Sequence, residues 1–226
     1  MNQHILVVDD DPGIAEMVAI LLESEGYRAT VCANGANVVP VFRSEGADLV
    51  LLDVMLPGLD GVSVCRLLRE ESDVPIVMMS AKTDSVDVIA GLEAGADDYV
   101  TKPFDNSILL ARVKARLRRQ EPESEILRIG DLTIDLGAHE VRRGNRLLHL
   151  TPLEFELLTV LARKPFQVFS REELLEIVWG YRHSADTRLV NVHIQRLRAK
   201  VEQDPENPQV VLTVRGVGYR AGAVRG

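Results

Sequence analysis

Leu49 to Leu52 form an unbroken apolar run that ends in a single acid, Asp53, and this stretch constrains the fold of the 226-residue chain more strongly than any other. A strand that is apolar on both faces is typical of a parallel sheet covered by helices, because a half-solvated strand alternates apolar and polar residues. Ligands in such sheets bind beyond the carboxyl ends of the strands. Asp53 therefore stands where chemistry is expected, although a lone Asp at a strand end is more often a loop or cap residue.

Further short apolar runs alternate with helical patterns over the first 120 residues. The predicted strands lie near residues 5–8, 28–33, 49–52, 76–79 and 98–101, and the predicted helices near 12–25, 36–43, 61–70, 84–93 and 105–119. Five strands that alternate with five helices predict a doubly wound α/β domain with a five-stranded parallel sheet over residues 1–120.

The second half of the chain has a different pattern, which predicts a second domain of the α+β class. A short polar segment, residues 121–126, is the candidate linker. Residues 127–226 begin with strand-like runs, continue with three helices and end with a hairpin. Thr151 and Ser170 are each followed three residues later by Glu, the spacing of a capping box at a helix start.

Charge is divided unevenly between the two halves. Residues 1–120 carry 19 acidic and 11 basic side chains, whereas residues 121–226 carry 15 of each. This asymmetry indicates two domains with different partners. The two cysteines lack a metal-binding spacing, and no apolar run approaches the roughly 20 residues that span a bilayer. We therefore expect a cytoplasmic protein with no membrane partner.

Acidic, hydroxyl and cationic side chains follow four of the predicted strands. Asp9 and Asp10 follow the first strand and Asp53 the third, so the three carboxylates should meet at one sheet edge. They repel one another, and a hard divalent cation such as Mg²⁺ (or Mn²⁺) offsets this while leaving room for phosphate oxygens. Ser80 and Lys102 end the fourth and fifth strands at the same edge. Together these groups are what in-line phosphoryl transfer requires.

Each of these residues also has an ordinary structural explanation. Taken singly, the acids fit a cap-and-turn cluster, Lys102 a surface residue and Ser80 a turn residue, but convergence at four strand ends favours a site. A flavin- or dinucleotide-binding domain is disfavoured, because it would need a Gly-rich or hydroxyl-rich phosphate loop after the first strand, where this chain has acids.

Five short motifs mark the first domain: VVDDD at 7–11, LDVMLPG at 52–58, SAK at 80–82, GADDY at 95–99 and TKPF at 101–104. They resemble the receiver domain of a two-component response regulator. The resemblance implies that Asp53 accepts a phosphoryl group from the phosphohistidine of a sensor histidine kinase, and that Lys102, before a cis proline, contacts the phosphoryl oxygens. It also implies that Ser80 and Tyr99 form a switch pair. The implied metal ligands are Asp9 (through water), Asp10, Asp53 and the Met55 carbonyl.

The third helix of the second domain, from about residue 186 to 201, has two distinct faces. An apolar stripe at spacings of 4, 3 and 4 predicts its core side and consists of Val190, Ile194, Leu197 and Val201. The remaining face suits a DNA major groove because it offers cations, amides and a small apolar residue. Its candidate contacts are Arg188, Asn191, Val192, Gln195, Arg196 and Arg198. An ordinary charged solvent face is the commoner fate of such a helix.

Four motifs of the second domain are LTPLEF at 150–155, VWG at 178–180, VHIQRLR at 192–198 and TVRGVGY at 213–219. They resemble the winged helix-turn-helix effector domain of the OmpR/PhoB family, and within it the MtrA-type regulators of actinobacteria. The resemblance implies that the third helix enters the major groove and that Arg215 in the hairpin wing reaches the minor groove. It also implies phosphate contacts by Arg171 and Thr213, and a contact of residues 180–184 with RNA polymerase.

The same resemblance implies a receiver dimer face that forms on phosphorylation. Many family members carry a basic residue near position 88 and an acidic one near 108, where this chain has Val88 and Ile108. This apolar pair would join two receivers, with Asp98 and Arg112 keeping an ionic contact and Asp97 on the same face. Alternatively, it would dock on the effector domain in the inactive state.

These observations predict a phosphorylation-switched transcription factor that dimerises and binds promoter DNA, with no enzymatic activity beyond phosphoryl transfer and slow autodephosphorylation at Asp53. Two alternatives stay open at this point. A haloacid-dehalogenase-type phosphatase also uses an Asp nucleophile after the first strand, and Asp9 and Asp11 have its spacing, but Gly13 stands where that group needs Thr or Val. The other alternative is a stand-alone binding module that is regulated by interdomain docking without phosphorylation.

Overall fold

The computed structural model describes residues 3–81, 85–117, 125–180 and 187–222, with the side chains of residues 85–88 excepted. The chain divides into two compact units, Met1–Arg118 and Arg119–Gly226. Residues 121–124 of the predicted linker lie outside the described residues, and Ile126, its predicted last residue, opens a strand.

The first unit is a five-stranded parallel sheet in the order β2-β1-β3-β4-β5. The strands are β1 His4–Val8, β2 Arg28–Cys32, β3 Leu49–Asp53, β4 Ile76–Ser80 and β5 Asp98–Thr101. The helices between and after them are α1 Pro12–Ser24, α2 Gly35–Glu45, α3 Gly61–Glu71, α4 Ser85–Ala94 and α5 Asn106–Leu117. The predicted doubly wound α/β domain is therefore confirmed.

Burial of the central strands explains why the sheet is parallel. Each residue from Leu49 to Leu52 has 0% relative exposure, and β1 and β4 are buried along their whole lengths. Strands covered on both faces need crossover helices, and these connections also keep all five strands in one direction. The register pairs Val8 with Leu52 and Asp53 with Met79, so the carboxyl ends of β1, β3 and β4 lie side by side.

The second unit joins two small antiparallel sheets through helices. The first sheet has the order β6-β7-β8-β9, with β6 Ile126–Ile129, β7 Leu132–Asp135, β8 Glu140–Arg143 and β9 Arg146–Leu148. The helical part consists of α6 Pro152–Arg163, α7 Arg171–Leu174 with a π-helical continuation Leu175–Trp179, and α8 Arg188–Val201. The second sheet has the order β10-β12-β11, with β10 Phe169–Ser170, β11 Val211–Val214 and β12 Gly218–Ala221.

Local signals for the helices of this unit are confirmed. Thr151 and Ser170 each form a complete capping box with the Glu three residues later. The predicted core stripe of α8 is fully buried. The two-residue strand β10 was not predicted, because it is too short to show a period and forms only by pairing with β12.

Among the helices of the described residues, none combines the length and the apolar character that crossing a membrane requires.

Candidate functional site

Three carboxylates meet at the carboxyl edge of the parallel sheet. Asp9 follows β1 directly, Asp10 is next to it, and Asp53 is the last residue of β3. One ligand atom from each lies within 4.8 Å of those of the other two. Asp9 and Asp53 are buried, whereas Asp10 is exposed. The structure thus brings together the three acids that the sequence analysis placed in one pocket.

Lys102 closes this pocket. Its Nζ donates to Oδ2 of Asp9 and to Oδ2 of Asp53, each at 2.6 Å. The backbone places it there, because the Lys102 N–H donates to the carbonyl of Ser80 at 2.7 Å and extends the pairing of β5 with β4. The Lys102-Pro103 peptide bond is cis, as expected from the family resemblance.

Backbone amides hold the other oxygens of the two buried carboxylates. The N–H of Asp11 donates to Oδ1 of Asp9 at 3.1 Å, and the N–H of Met55 donates to Oδ1 of Asp53 at 3.0 Å. Each carboxylate therefore has one oxygen fixed by its own loop and the other turned toward Lys102. This arrangement orients Asp53 before any ligand arrives.

Burial and ion pairing act in opposite directions on the charges of the pocket. Burial raises the pKa of Asp9 above its usual value, although its hydrogen bond with Lys102 opposes the rise. Burial by itself would lower the pKa of Lys102, but the hydrogen bonds to Asp53 and Asp9 outweigh it, so the pKa of Lys102 is raised. The lysine is therefore a firmly charged counter-ion of the acids.

The donor set of the cluster fits a metal ion. Asp9, Asp10 and Asp53 offer oxygen ligands only, and hard divalent cations such as Mg²⁺ prefer oxygen. Charge favours binding as well, because Lys102, the ammonium group that the described residues place in this pocket, pairs with only two of the three carboxylates, Asp9 and Asp53. The pocket could therefore hold a metal ion.

Ser80 and Tyr99 lie beside this pocket. Ser80 ends β4 and is buried, and Tyr99 in β5 is half-buried. Both side chains line one small cleft, together with Val54 and Leu92. The structure therefore places the predicted switch pair on one continuous surface that begins next to Asp53.

Two residues of the predicted dimer face lie inside the first unit, which corrects that part of the prediction. Asp97 is only 1% exposed, and its Oδ2 accepts from Arg69 at 2.6 Å and from the N–H of Ile76 at 2.8 Å. Asp98 is fully buried, and Arg112 of the same chain donates to it at 2.8 Å. A buried carboxylate needs hydrogen-bond donors, and two helices supply them here. Arg69 of α3 donates to Asp97, and Arg112 of α5 donates to Asp98.

The apolar part of that face has one described side chain. Ile108 on α5 is 50% exposed. The backbone of Val88 belongs to α4, but its side chain lies outside the described residues.

In the second unit, several predicted DNA contacts are accessible. Arg188 and Gln195 are exposed on α8, and Thr213 and Arg215 are exposed on the β11–β12 hairpin. The other accessible contacts are half-buried: Arg171, Asn191, Val192 and Arg196. Of the predicted polymerase loop, only Gly180 belongs to the described residues.

The structure also corrects the prediction that Arg198 contacts DNA, because its side chain is not available to a DNA groove. Its side chain is buried, with 6% exposure for the residue. Nε and Nη2 donate to the carbonyl of Val211 at 3.0 and 2.7 Å, and Nη2 also donates to Oγ1 of Thr213 at 2.7 Å. The guanidinium group of Arg198 therefore connects α8 to β11, the first strand of the C-terminal hairpin. Helical periodicity alone cannot show this, because it does not predict where the hairpin packs.

Sequence reasoning missed the role of Tyr219 altogether. Its hydroxyl donates to Oδ1 of Asn191 at 2.8 Å, and Nε of Arg171 donates to the same oxygen at 2.9 Å. The guanidinium groups of Arg171 and Arg198 lie 5.3 and 5.7 Å from the centre of the Tyr219 ring. The signal available in the sequence was an aromatic residue in the predicted C-terminal hairpin.

Comparisons with known proteins agree with this architecture. Residues 5–114 match the response regulator receiver domain, and residues 144–221 match the family described as "Transcriptional regulatory protein, C terminal". A receiver followed by a transcriptional regulatory domain is the architecture of response regulators that act on transcription.

The relatives narrow that class. The chain is 65% identical over 223 residues to the DNA-binding response regulator MtrA of Mycolicibacterium smegmatis, covering 98% of each chain. It is 47% identical to the transcriptional regulatory protein CseB of Streptomyces coelicolor, covering 97% of this chain and 98% of CseB. The solved structure of DrrB, an OmpR/PhoB homologue from Thermotoga maritima, is 37% identical with a TM-score of 0.54, covering 99% of this chain and 100% of DrrB.

The chain therefore belongs to the OmpR/PhoB family of response regulators, and within it its similarity is to MtrA regulators, as its motifs predicted. The family match and the observed sheets also confirm the predicted fold class. Membership also sets aside the phosphatase alternative, because the chain is a response regulator and not an enzyme of that kind.

Proposed function

We propose that a sensor histidine kinase phosphorylates Asp53 and that the phosphorylated protein binds promoter DNA and regulates transcription. The observation that carries this proposal is the 2.6 Å contact between Lys102 Nζ and Asp53 Oδ2 inside a pocket of three carboxylates. An ammonium group beside the acceptor stabilises the negative charge of the phosphoryl oxygens during an in-line transfer.

In the proposed transfer, an oxygen of Asp53 attacks the phosphorus atom of a phosphohistidine. The new phosphorus–oxygen bond forms as the phosphorus–nitrogen bond breaks, and the imidazole leaves with the electron pair of that bond. The Met55 N–H holds the acceptor carboxylate in place. Lys102 then exchanges a carboxylate contact for a phosphoryl oxygen. The same pocket would support slow autodephosphorylation by water.

The acids of the pocket support a role for a divalent cation. We propose that Asp10, Asp53 and the Met55 carbonyl ligate Mg²⁺ or Mn²⁺, and that Asp9 holds a metal-bound water. The ion would supply positive charge between the acceptor and the phosphoryl oxygens. The oxygen-only donor set of the cluster is the support for this assignment.

Ser80 and Tyr99 would carry the signal outward. Their shared cleft supports a coupled movement, in which the Ser80 hydroxyl turns to the phosphoryl group and the Tyr99 ring turns inward. This would change the surface of α4, β5 and α5 and favour a homodimer. The exposed side chain of Ile108 supports an apolar contribution to that dimer. Docking of the same face on the effector domain in the inactive state is the alternative.

We assign residues 1–120 to the receiver, 121–126 to a linker and 127–226 to the winged-helix effector. In the effector, α8 would enter the major groove and the hairpin turn with Arg215 the minor groove. The exposure of Arg188, Gln195 and Arg215 supports this orientation. Contact of residues 180–184 with RNA polymerase belongs to the same proposal.

Phosphoryl labelling tests the central step. Wild-type protein, Asp53→Ala and the control Asp105→Asn are incubated with Mg²⁺ and acetyl phosphate, or with a phosphorylated sensor kinase. Asp105 is a suitable control because it follows β5 closely in sequence, is exposed and has its carboxylate bonded to its near neighbours Ser107 and Ile108. Wild type and the control should be labelled and Asp53→Ala should not. Undiminished labelling of Asp53→Ala would refute the proposal, and absence of labelling in the wild type would favour a binding module without phosphorylation.

A further inference from the structure

Asn191 on α8 is held by residues from two other elements. Its Oδ1 accepts one hydrogen bond from Nε of Arg171, which opens α7, and another from the hydroxyl of Tyr219 in β12. Chemistry settles the orientation of the amide, because Nε of arginine can only donate and must therefore face the oxygen. The NH₂ group of Asn191 consequently points away from Arg171.

These two hydrogen bonds occupy Oδ1, the acceptor atom of the Asn191 side chain. An amide oxygen has two lone pairs, and both are engaged by Arg171 and Tyr219. Asparagine reads adenine in the major groove by accepting from the 6-amino group while donating to N7. Asn191 retains only the donating half of that pair.

Neighbouring contacts keep the oxygen engaged. Tyr219 is buried, and the guanidinium groups of Arg171 and Arg198 lie 5.3 and 5.7 Å from the centre of its ring. Arg198 is in turn fastened to the wing through Val211 and Thr213. Freeing the Asn191 oxygen would break a bond inside this packed cluster. Across the part of the chain that the structure describes, the Asn191 NH₂ group has no hydrogen-bond partner, so it is the half of the amide that a ligand can use.

We infer that Asn191 is a donor-only specificity residue, whose NH₂ group contacts an acceptor on a base edge in the major groove and does not recognise the 6-amino group of adenine. The acceptors that fit are N7 or O6 of guanine, N7 of adenine and O4 of thymine. Arg171 and Tyr219 act as positioning residues that fix which half of the amide faces the DNA. The inference rests on the proposed function, because it requires α8 to enter the groove.

Asn191→Asp is the sharpest test. Aspartate keeps an oxygen for Arg171 and Tyr219 but replaces the donor with a second acceptor. Full-length wild type and variant are each used to select duplexes from a random library, and thermal unfolding checks that both are folded. The variant should lose roughly tenfold in affinity for the wild-type site through one base position. At that position it should now select cytosine, whose 4-amino group donates to a carboxylate. An unchanged base preference would overturn the inference.

A base-analogue experiment supplies an independent check that does not need the Asp variant. Each adenine of the selected site is replaced by purine, which lacks the 6-amino group, and binding is compared for wild type and Asn191→Ala. The two proteins should respond alike at every position. A loss confined to the wild type would show that Asn191 does recognise the amino group and would overturn the inference. If the wild type selects no sequence at all, the proposed function fails instead.

Tyr219→Phe examines the positioning role. The variant keeps the ring but removes the hydroxyl, which returns one lone pair to the Asn191 oxygen. Selection with this variant should shift towards adenine at the Asn191 position, and replacing that adenine by purine should weaken binding of the variant but not of the wild type. Identical selections by Tyr219→Phe and the wild type would contradict a role of Tyr219 in specificity.

Discussion

Lys102 Nζ lies 2.6 Å from Oδ2 of Asp53 and 2.6 Å from Oδ2 of Asp9, although 49 and 93 residues separate the partners along the chain. Both carboxylates are buried, so their mutual repulsion is poorly screened by water. One ammonium group therefore offsets the charge of two acids. Replacing that group should expose the repulsion and increase the dependence of the receiver on a divalent cation.

Lys102→Met should lower the free energy of unfolding by about 1–3 kcal/mol in buffer with a chelator, because it leaves two buried carboxylates without their cation. Millimolar Mg²⁺ should restore more stability to the variant than it adds to the wild type, because the metal offsets the same repulsion. Urea denaturation with and without Mg²⁺ measures both effects. Lys114→Met is the control, because Lys114 pairs with Glu25 at an exposed site. Equal responses of Lys102→Met and the wild type to Mg²⁺ would contradict the argument.

Asp97→Ala should destabilise the receiver by about 3–5 kcal/mol, because it leaves the nearly buried Arg69 without its ionic partner. Arg69 also donates to the carbonyls of Gly95 and Val74, so this ion pair anchors the loop before β5 to α3. Glu71→Ala serves as a control on the same helix, because its pair with Arg43 lies at the surface, where water screens it, so its loss should cost much less stability. Chemical denaturation measures both. If Asp97→Ala is stable but no longer dimerises on phosphorylation, Asp97 would belong to the dimer face after all.

Asp60 should make the stability of the receiver depend on pH in the acidic range. The N–H of Ser63 donates to this N-cap residue of α3 and lowers the pKa of Asp60 below its usual value of 3.8. The contribution of the charged cap is therefore fully present above that usual value and is lost as the pH falls through the lower folded pKa. Asp60→Ala should cost about 1 kcal/mol at pH 7 and less in acid.

Asp60→Asn separates the charge from the cap. Asparagine caps well at any pH, so the advantage of the wild type over this variant should be largest above about pH 5 and vanish in acid. Urea denaturation at several pH values measures the difference. A constant difference across the acidic range would show that the charge of Asp60 has no part in stability.

Arg198→Ala and Arg188→Ala should have different consequences. Arg198 is buried against the wing, so its removal should lower the stability of the effector by about 1.5–3 kcal/mol and weaken DNA binding only indirectly. Arg188 is exposed, so its removal should cost less stability than the removal of the buried Arg198. If Arg188 contacts a phosphate, its loss should also reduce the salt dependence of binding by about one unit of slope. Thermal unfolding and DNA binding at several salt concentrations test the pair, and an unstable Arg188→Ala variant would contradict this assignment.

The sequence by itself determined the fold class, the family and the composition of the carboxylate pocket. Apolar runs and helical spacing are local properties, and they predicted the parallel sheet and the core side of α8 correctly. Capping boxes at Thr151 and Ser170 were equally visible, because all their atoms come from four consecutive residues. The convergence of Asp9 and Asp53 followed from one general rule about the carboxyl ends of parallel strands.

Only the tertiary structure decided where individual charged side chains point. The family resemblance placed Asp97 on a surface, and helical spacing did the same for Arg198. Each is nevertheless buried, because Arg69 donates to Asp97 and the carbonyl of Val211 accepts from Arg198. The two hydrogen bonds on Asn191 likewise come from residues 20 and 28 positions away. Periodicity describes one element at a time, whereas the partner of a buried polar group depends on how two elements pack. For that reason the sequence predicted the elements and the acids, and the fold determined which polar groups remain free for a ligand.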